Sequence, residues 1–236
     1  MSIRLLSLLL LTGLLGGCDW HLPGKPIRPE PEKLDSRAKF DRMYFVNCLG
    51  CHGPDGRDGA ARPMHDPIYL AVIPVETLED VIRDGHGTLM PGFKKTLYGG
   101  LSDPEIAALA SGMKRFWGNE EEAGKNLPQY AYKSGAGNAS SGKETFATFC
   151  GSCHGDTGEG KAGGAGSVVD LYYLRLVSDQ AIRSTVICGR LDFGCPSFRG
   201  PYPGQPKDRE LSKSEIDDIT AWLISNRMTV AEEAAK

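Results

Sequence analysis

Apolar residues recur three and four positions apart in two segments of this 236-residue chain, which predicts an amphipathic helix with a buried stripe in each. Both segments open with the sequence Leu-Ser-x-x-Glu-Ile. The serine in this sequence can cap a helix, and the glutamate three positions later can complete a capping box. The two stripes are Ile106, Leu109 and Met113, and Ile216, Ile219 and Leu223.

Four further segments are predicted to be helical, and they occur in the same order in the two halves of the chain. Two of them precede a pair of cysteines. The other two have an acidic first turn and stop at Gly85 or Gly189. The segments are 37–47 and 141–149, and 76–83 and 178–187. This internal repeat predicts two similar, all-α domains in tandem.

The repeat places one domain at 35–117 and the other at 138–228, and a length of 236 residues allows two domains of roughly 100 residues each. Residues 118–137 are poor in apolar side chains and begin with three glutamates at 120–122, as expected of a linker between domains. Residues 229–236 are interpreted as a tail.

The N-terminal segment 1–17 carries one arginine and then an apolar run that is shorter than the roughly 20 residues of a membrane-spanning helix. It is interpreted as an export signal. The run ends Leu-Gly-Gly before Cys18 and resembles the lipobox of bacterial lipoproteins, in which this cysteine is acylated. The alternative is an ordinary signal peptide with an incidental cysteine. Residues 18–34 are rich in proline and predict an extended tether.

The charge of the chain excludes one class of partner. The formal net charge is −3, the pI is about 6.0, and the lysines and arginines are scattered along the sequence. Nucleic-acid binding needs a concentrated basic surface, so no nucleic-acid partner is expected.

The sequence Cys-x-x-Cys-His occurs once in each half, at 48–52 and at 150–154. In this arrangement two thiols add to the vinyl groups of a haem, and the adjacent histidine is held where one ring nitrogen can bind the iron. If the two cysteines formed a redox pair or half of a zinc site, a histidine directly after the second cysteine would not be needed in both copies. The predicted attachment and ligand residues are Cys48, Cys51 and His52, and Cys150, Cys153 and His154.

On these motifs both halves resemble class I cytochromes c. The resemblance implies two covalent haem c groups and a mostly helical fold in which each haem forms a large part of the core. It also implies a second axial ligand on each iron. In the first half, Met90 lies in a segment, 84–93, that resembles the methionine loop of this family. Met64 and Met113 are more simply core residues, and His86 a surface residue.

The second half departs from this pattern, because no methionine lies between His154 and Met228. The segment 187–198 resembles the same loop with Cys195 in the methionine position, so the leading hypothesis is a His154/Cys195-ligated haem. Alternatively, Cys188 and Cys195 form a disulfide, which would leave the second iron five-coordinate or bound by an unidentified ligand. Two arginines, Arg190 and Arg199, are candidates for pairing with haem propionates.

The functional hypothesis is a lipid-anchored dihaem cytochrome on the periplasmic side of the bacterial inner membrane. It would relay single electrons between periplasmic or inner-membrane redox proteins, alone or as a subunit of a respiratory or photosynthetic assembly, and no catalytic residue is predicted. The competing hypothesis is an enzyme at the second haem, either a sulfur-compound oxidising cytochrome such as a thiosulfate dehydrogenase or a peroxidase.

Overall fold

A computed structural model describes residues 35–87, 89–97 and 99–227. The predicted leader at 1–17, the lipidation site Cys18, the tether and the tail lie outside the described residues, as does Met228. The described residues from Ser36 to Arg227 belong to one compact unit.

The described chain is mostly helical, as the sequence predicts, and each half contributes the same series of helices. In the first half the elements are α1 (Ser36–Asn47), α2 (Leu49–His52), a 3₁₀ turn (Pro54–Gly56), α3 (Pro67–Val72), α4 (Val75–Asp84) and α5 (Asp103–Trp117). Two short strands, β1 (Gly85–His86) and β2 (Met90–Pro91), pair antiparallel between α4 and α5. The second half contains α7 (Ala139–Phe149), α8 (Gly151–His154), α9 (Leu171–Leu176), α10 (Asp179–Cys188), a 3₁₀ turn (Leu191–Phe193) and α11 (Lys213–Ser225).

The capping boxes predicted from the sequence form at the start of both closing helices. The N–H of Ser102 donates to Glu105 Oε2 at 2.8 Å, and the N–H of Ser212 donates to Glu215 Oε2 at 2.7 Å. These bonds satisfy backbone donors that the first turn of a helix leaves unpaired.

The sequence prediction lacks the short helices, including the two six-residue helices α3 and α9. Each has an aspartate at its N-cap: Asp66 accepts from the N–H of Tyr69, and Asp170 from the N–H of Tyr173, both at 2.9 Å. A run of six residues is too short for a helical apolar period to be recognised, so the cap was the only local signal.

In each half the first and last helices cross and build the core. The crossings are close because a glycine lies at each: Gly112 of α5 lies against the ring of Phe40, and Gly142 of α7 lies against the backbone of Asp218 in α11. The buried residues around the two crossings are Tyr44, Ile106, Leu109, Met113 and Trp117 in the first half, and Phe146, Phe149, Ile216, Ile219 and Trp222 in the second.

The predicted linker forms the short helix α6 (Glu120–Ala123). The rest of the linker, residues 124–137, contains no helix or strand and is called the strap below; it is hydrogen-bonded to the second half. Buried Arg183 of α10 donates to the carbonyl of Gln129 at 3.0 and 3.1 Å and forms an ion pair with Asp217. Gln180 donates to the carbonyl of Tyr130 at 2.8 Å. Side chains of α3 also pack against the second core: Ile68, Tyr69 and Val72. The two halves therefore share an interface.

None of the helices within 35–87, 89–97 and 99–227 combines the length and the apolar character needed to cross a membrane.

Candidate haem sites

The first Cys-x-x-Cys-His sequence forms a single helical turn. Cys48 caps α2, Cys51 and His52 lie within it, and the N–H of His52 donates to the carbonyl of Cys48 at 3.0 Å. Burial raises the pKa of the Cys48 thiol to about 11, with a further contribution from Cys51, whereas Cys51 is exposed. Two thiols and an imidazole thus come from one turn of backbone.

The ring of His52 is oriented by a backbone carbonyl. Its Nδ1 lies 3.1 Å from the carbonyl oxygen of Arg62, which makes Nδ1 the donor and leaves Nε2 without a proton. Burial lowers the pKa of His52, against the opposing effect of this hydrogen bond. A neutral imidazole with one nitrogen fixed in this way is suited to bind a metal through the other.

The second motif has the same geometry. Cys150 caps α8, and Nδ1 of His154 lies 3.2 Å from the carbonyl oxygen of Gly166. Burial raises the pKa of the Cys150 thiol to about 12, and negative charge on Cys195 and Cys153 would raise it further. The loop after each motif also has the same hydrogen bond. The N–H of Ala165 donates to the backbone carbonyl of Cys153 at 3.0 Å, and the N–H of Ala61 donates to the backbone carbonyl of Cys51 at 2.9 Å.

The donor sets fit a covalently attached haem c. Each supplies two thiols for thioether bonds and one oriented imidazole for the iron. Within the part of the chain that the structure describes, no group of three or more histidine, cysteine or acidic side chains is arranged to hold a metal ion.

Met90 lies on β2, opposite His86 of β1. The loop is closed by the N–H of Phe93, which donates to the carbonyl of Ile82 at 2.9 Å. Gly85 has φ of 84°, and a side chain at this position would overlap the carbonyl oxygen of Met90. The two alternative methionines, Met64 and Met113, are buried in the first core.

Cys195 occupies the equivalent position in the second half. The N–H of Phe198 donates to the carbonyl of Ile187 at 2.9 Å, and Gly189, with φ of 71°, lies against the carbonyl oxygen of Cys195. Cys195 precedes Phe198 by three residues, as Met90 precedes Phe93. The two loops share their closing bonds and differ in the side chain that they present.

Cys188 and Cys195 are separate thiols with different surroundings. Cys188 is fully buried in the second core, and burial raises the pKa of its thiol to about 12, an effect that the positive charge of Arg62 opposes. Cys195 lies partly exposed on the loop, where burial also raises its pKa. A disulfide between them stays an untested alternative.

The candidate propionate partners are paired with carboxylates. Arg190 contacts Asp192 at 2.6 Å, and Arg199 contacts Glu122 and, at 3.4 Å, Glu210. Sequence reasoning missed Arg62, whose carbonyl orients His52. Arg62 lies ten residues after His52, whereas the equivalent Gly166 lies twelve residues after His154, so spacing does not indicate the equivalence and only the folded loop shows it.

Each half of the chain matches a known protein family. Residues 139–227 match the family described as cytochrome c, and residues 36–111 match the family described as cytochrome c oxidase, cbb3-type, subunit III. The chain contains two cytochrome c domains in tandem. Domain 1 and domain 2 denote the first and the second of these below. Together they bind two covalent haem c groups and transfer electrons.

Two curated relatives resemble this dihaem cytochrome c. The cbb3-type cytochrome c oxidase subunit FixPc of Rhizobium leguminosarum bv. viciae is 29% identical over 150 residues, which cover 59% of this chain and 46% of the relative. The cbb3-type cytochrome c oxidase subunit CcoP of Rubrivivax gelatinosus is 29% identical over 220 residues, which cover 89% of this chain and 60% of the relative. The chain therefore spans about half to three fifths of the length of these relatives.

Proposed function

We propose that this dihaem cytochrome c is an electron-transfer subunit of a cbb3-type cytochrome c oxidase or of a closely similar respiratory complex. The observation that carries the proposal is the repeated site: a Cys-x-x-Cys-His turn whose histidine is oriented by a carbonyl, present once in each of two cytochrome c domains. The names of the two relatives supply the kind of complex.

Each haem is held through thioether bonds, to Cys48 and Cys51 in domain 1 and to Cys150 and Cys153 in domain 2. His52 and Met90 would bind the iron in domain 1, and His154 and Cys195 would bind the iron in domain 2. A bound haem supplies one-electron redox chemistry. The support for Cys195 is its equivalence to Met90 in backbone position and closing bonds.

Unequal distal ligands make the two sites electrochemically unequal. A neutral thioether favours the ferrous state and raises the reduction potential, whereas a thiolate adds negative charge and favours the ferric state. The site in domain 2 therefore has the lower potential, and electrons move downhill from domain 2 to domain 1.

A lipid at Cys18 and the extended tether 18–34 hold both domains at the periplasmic face of the inner membrane. The partners are then membrane or periplasmic redox proteins. The anchor and its location rest on the lipobox resemblance of the sequence, and the names of the relatives support only an oxidase complex as the partner.

A redox titration with optical and EPR detection tests the ligand assignment. The native protein is expected to show two well-separated midpoints and two low-spin ferric signals. Cys195→Met should remove one of these signals and raise the lower midpoint by a substantial part of the roughly 0.8 V range that axial ligands can span. Cys188→Ser is the matched control, because Cys188 is fully buried in the second core whereas Cys195 lies on the loop, and both signals should persist. An unchanged EPR spectrum in Cys195→Met would rule out the thiolate ligand.

The partner assignment needs a separate measurement. The tagged full chain, extracted with detergent from membranes of its host, should co-purify with cytochrome c oxidase activity, measured as oxygen uptake with reduced cytochrome c. Cys18→Ala should remove the lipid from the mature chain, which mass spectrometry of the purified protein measures. Oxidase activity that is absent from the purified complex, or turnover of thiosulfate or peroxide far above that of free haem, would contradict the proposed role.

A further inference from the structure

Arg62 joins the two cytochrome c domains through both its backbone and its side chain. Its carbonyl accepts the hydrogen bond from Nδ1 of His52 at 3.1 Å. Its guanidinium crosses the interface and donates to Thr185 Oγ1 at 3.0 Å and to the carbonyls of Ser184 and Gly189, each at 3.1 Å. One residue therefore connects the proximal histidine of domain 1 to the end of α10 in domain 2.

The target of the guanidinium is chemically specific. Its three acceptors lie at the C-terminal end of α10, which carries the negative end of the helix dipole: Ser184 and Thr185 belong to the helix, and Gly189 is its C-cap residue. The guanidinium can bond to all three at once because its donors are fixed in one plane. Arg62 is also covered from the side, since its guanidinium carbon lies 5.7 Å from the ring centre of Tyr69, which packs against both cores.

The end of α10 leads directly to the distal loop of domain 2. Gly189 is followed by Arg190, whose N–H donates to the carbonyl of Cys195 at 2.9 Å, and the N–H of Cys195 returns to the carbonyl of Arg190 at 3.0 Å. From His52 to Cys195 each step is therefore a covalent segment or a hydrogen bond. Electron tunnelling weakens steeply with distance and passes more readily through bonds and hydrogen bonds than through gaps.

The repeat supplies an internal comparison. The residue equivalent to Arg62 is Gly166, which accepts the same bond from His154 but has no side chain. A side chain at Gly166 would meet no atom within 4 Å. An arginine side chain is thus not needed to orient a proximal histidine, and in domain 1 it serves the contact with domain 2.

We propose that Arg62 is a positioning residue for electron transfer between the two haem sites. It fixes domain 2 against domain 1 and completes the bonded connection between His52 and the loop that carries Cys195. The step moves one electron, so the site that loses it is oxidised and the site that gains it is reduced, and no bond is made or broken. The inference rests on the ligands assigned under the proposed function.

The test compares Arg62→Leu with the native holoprotein. The substitution keeps the carbonyl that orients His52 and removes the three bonds to domain 2. After photoreduction of the protein with a ruthenium complex, the intramolecular electron-transfer rate should fall severalfold, while the absorption spectrum of each haem is unchanged. Arg62→Lys, which retains a cation and fewer donors, should restore part of the rate. Distance distributions between spin labels on the two domains should broaden in Arg62→Leu and narrow again in Arg62→Lys.

Arg57→Leu is the matched control. Arg57 lines the same cleft between the domains, but its Nε donates to the carbonyl of His65 within domain 1 at 3.2 Å. An unchanged rate in Arg62→Leu, or an equal fall in Arg57→Leu, would overturn the proposal. If Arg62→Leu does not retain both haems, Thr185→Val removes one acceptor from the other side of the interface, and an unchanged rate there would also overturn it.

The two proposals can fail separately. If Cys195 is not a ligand, the EPR spectrum of Cys195→Met reports that directly. The effect of Arg62→Leu on the rate and on the spin-label distances still shows whether this residue couples the domains.

Discussion

Domain 1 and domain 2 share the backbone hydrogen bonds that close one loop, and they differ in the side chain that this loop carries. In both, a glycine after the fourth helix of the repeat allows close approach of the returning loop, and a phenylalanine N–H closes that loop onto the helix. The path of this loop is fixed by backbone hydrogen bonds and glycines, so it does not depend on the side chain that the loop carries. At the same position in the loop, domain 1 has Met90 and domain 2 has Cys195, the two residues proposed above as ligands.

The domains also differ in how they use their surfaces. Domain 1 contributes α3 and the side chain of Arg62 to the interface, and domain 2 contributes α10. The linker strap binds along domain 2, where Arg183 and Gln180 hold its backbone. The interface is therefore unsymmetrical although the domains are repeats. Substituting a residue in one domain and comparing it with the equivalent residue of the other domain tests which of these differences affect stability and haem binding.

The largest effect is expected from loss of covalent attachment in one domain. The double variant Cys150→Ser/Cys153→Ser should carry one covalent haem where the native chain carries two. Domain 2 should lose much of its resistance to proteolysis, because a haem is a large part of the core of such a small domain. Domain 1 should stay intact. Pyridine haemochrome content per protein and limited proteolysis with mass spectrometry measure both outcomes.

Cys188→Ser serves as the control for this variant, since Cys188 lies outside the motif and should leave both haems attached. Two haems still bound covalently to the double variant would show that the motif of domain 2 is not the attachment site.

The sequence predicts the helices that are long or that carry recognisable caps. The capping boxes at Ser102 and Ser212 and the apolar stripes behind them identify α5 and α11, because both signals are local. The repeated Cys-x-x-Cys-His is equally local, since attachment and ligation chemistry fix its spacing. These features account for the all-α fold and the two cofactors.

The remaining features depend on residues that meet only in the folded chain. The sequence contains no signal that Arg62 crosses to domain 2, because its acceptors are more than 120 positions away and two of them are backbone carbonyls. The sequence predicts only a linker at the strap and not its contacts with domain 2, because the side chains of Gln180 and Arg183 also donate to backbone carbonyls there. Every residue has a backbone carbonyl, so neither composition nor periodicity indicates which carbonyl accepts a given hydrogen bond.

A second, intermediate effect is expected at the helix crossings. In Gly142→Ala the new methyl group would overlap the backbone carbonyl of Asp218, which can yield only if the two helices move apart. We expect a loss of about 2–3 kcal/mol in the free energy of unfolding, the upper range for overpacking. Gly112→Ala meets the buried ring of Phe40, which can turn about its own side-chain bonds as a backbone carbonyl cannot, and alanine also favours the helix, so its loss should be smaller.

Gly124→Ala is the control for general effects of the substitution, because Gly124 has φ of −80° and a side chain there would meet only ordinary contacts, at 3.6 Å from the carbonyl oxygen of Glu120 and at 3.8 Å from that of Glu121. Chemical denaturation of the three variants measures the differences. A larger loss for Gly112→Ala than for Gly142→Ala would contradict the expected difference between a side-chain and a backbone obstacle.

The smallest effect concerns the two capping boxes and is a pH dependence. Hydrogen bonds from the Ser102 hydroxyl and N–H lower the pKa of Glu105. Burial acts to raise the pKa of Glu215, but bonds from Ser212 and Arg209 outweigh it, and this pKa is also lowered. A carboxylate with a lowered pKa stabilises the fold above the ordinary glutamate pKa of about 4.3, and this contribution is lost as the pH falls through the folded value.

Glu105→Gln should therefore cost roughly 0.3–1 kcal/mol near neutral pH, the usual size for a surface carboxylate at a helix N-terminus. The difference from the native protein should shrink in acid, once the native carboxyl is protonated. Glu215→Gln should show the larger cost, because it also loses the charge paired with Arg209 at 2.5 Å. Urea denaturation followed by helical circular dichroism, at about pH 7 and at about pH 3, measures both differences. A cost of the same size at the two pH values would mean that the carboxylate charge contributes nothing, and that each box acts only through the shape of its hydrogen bonds.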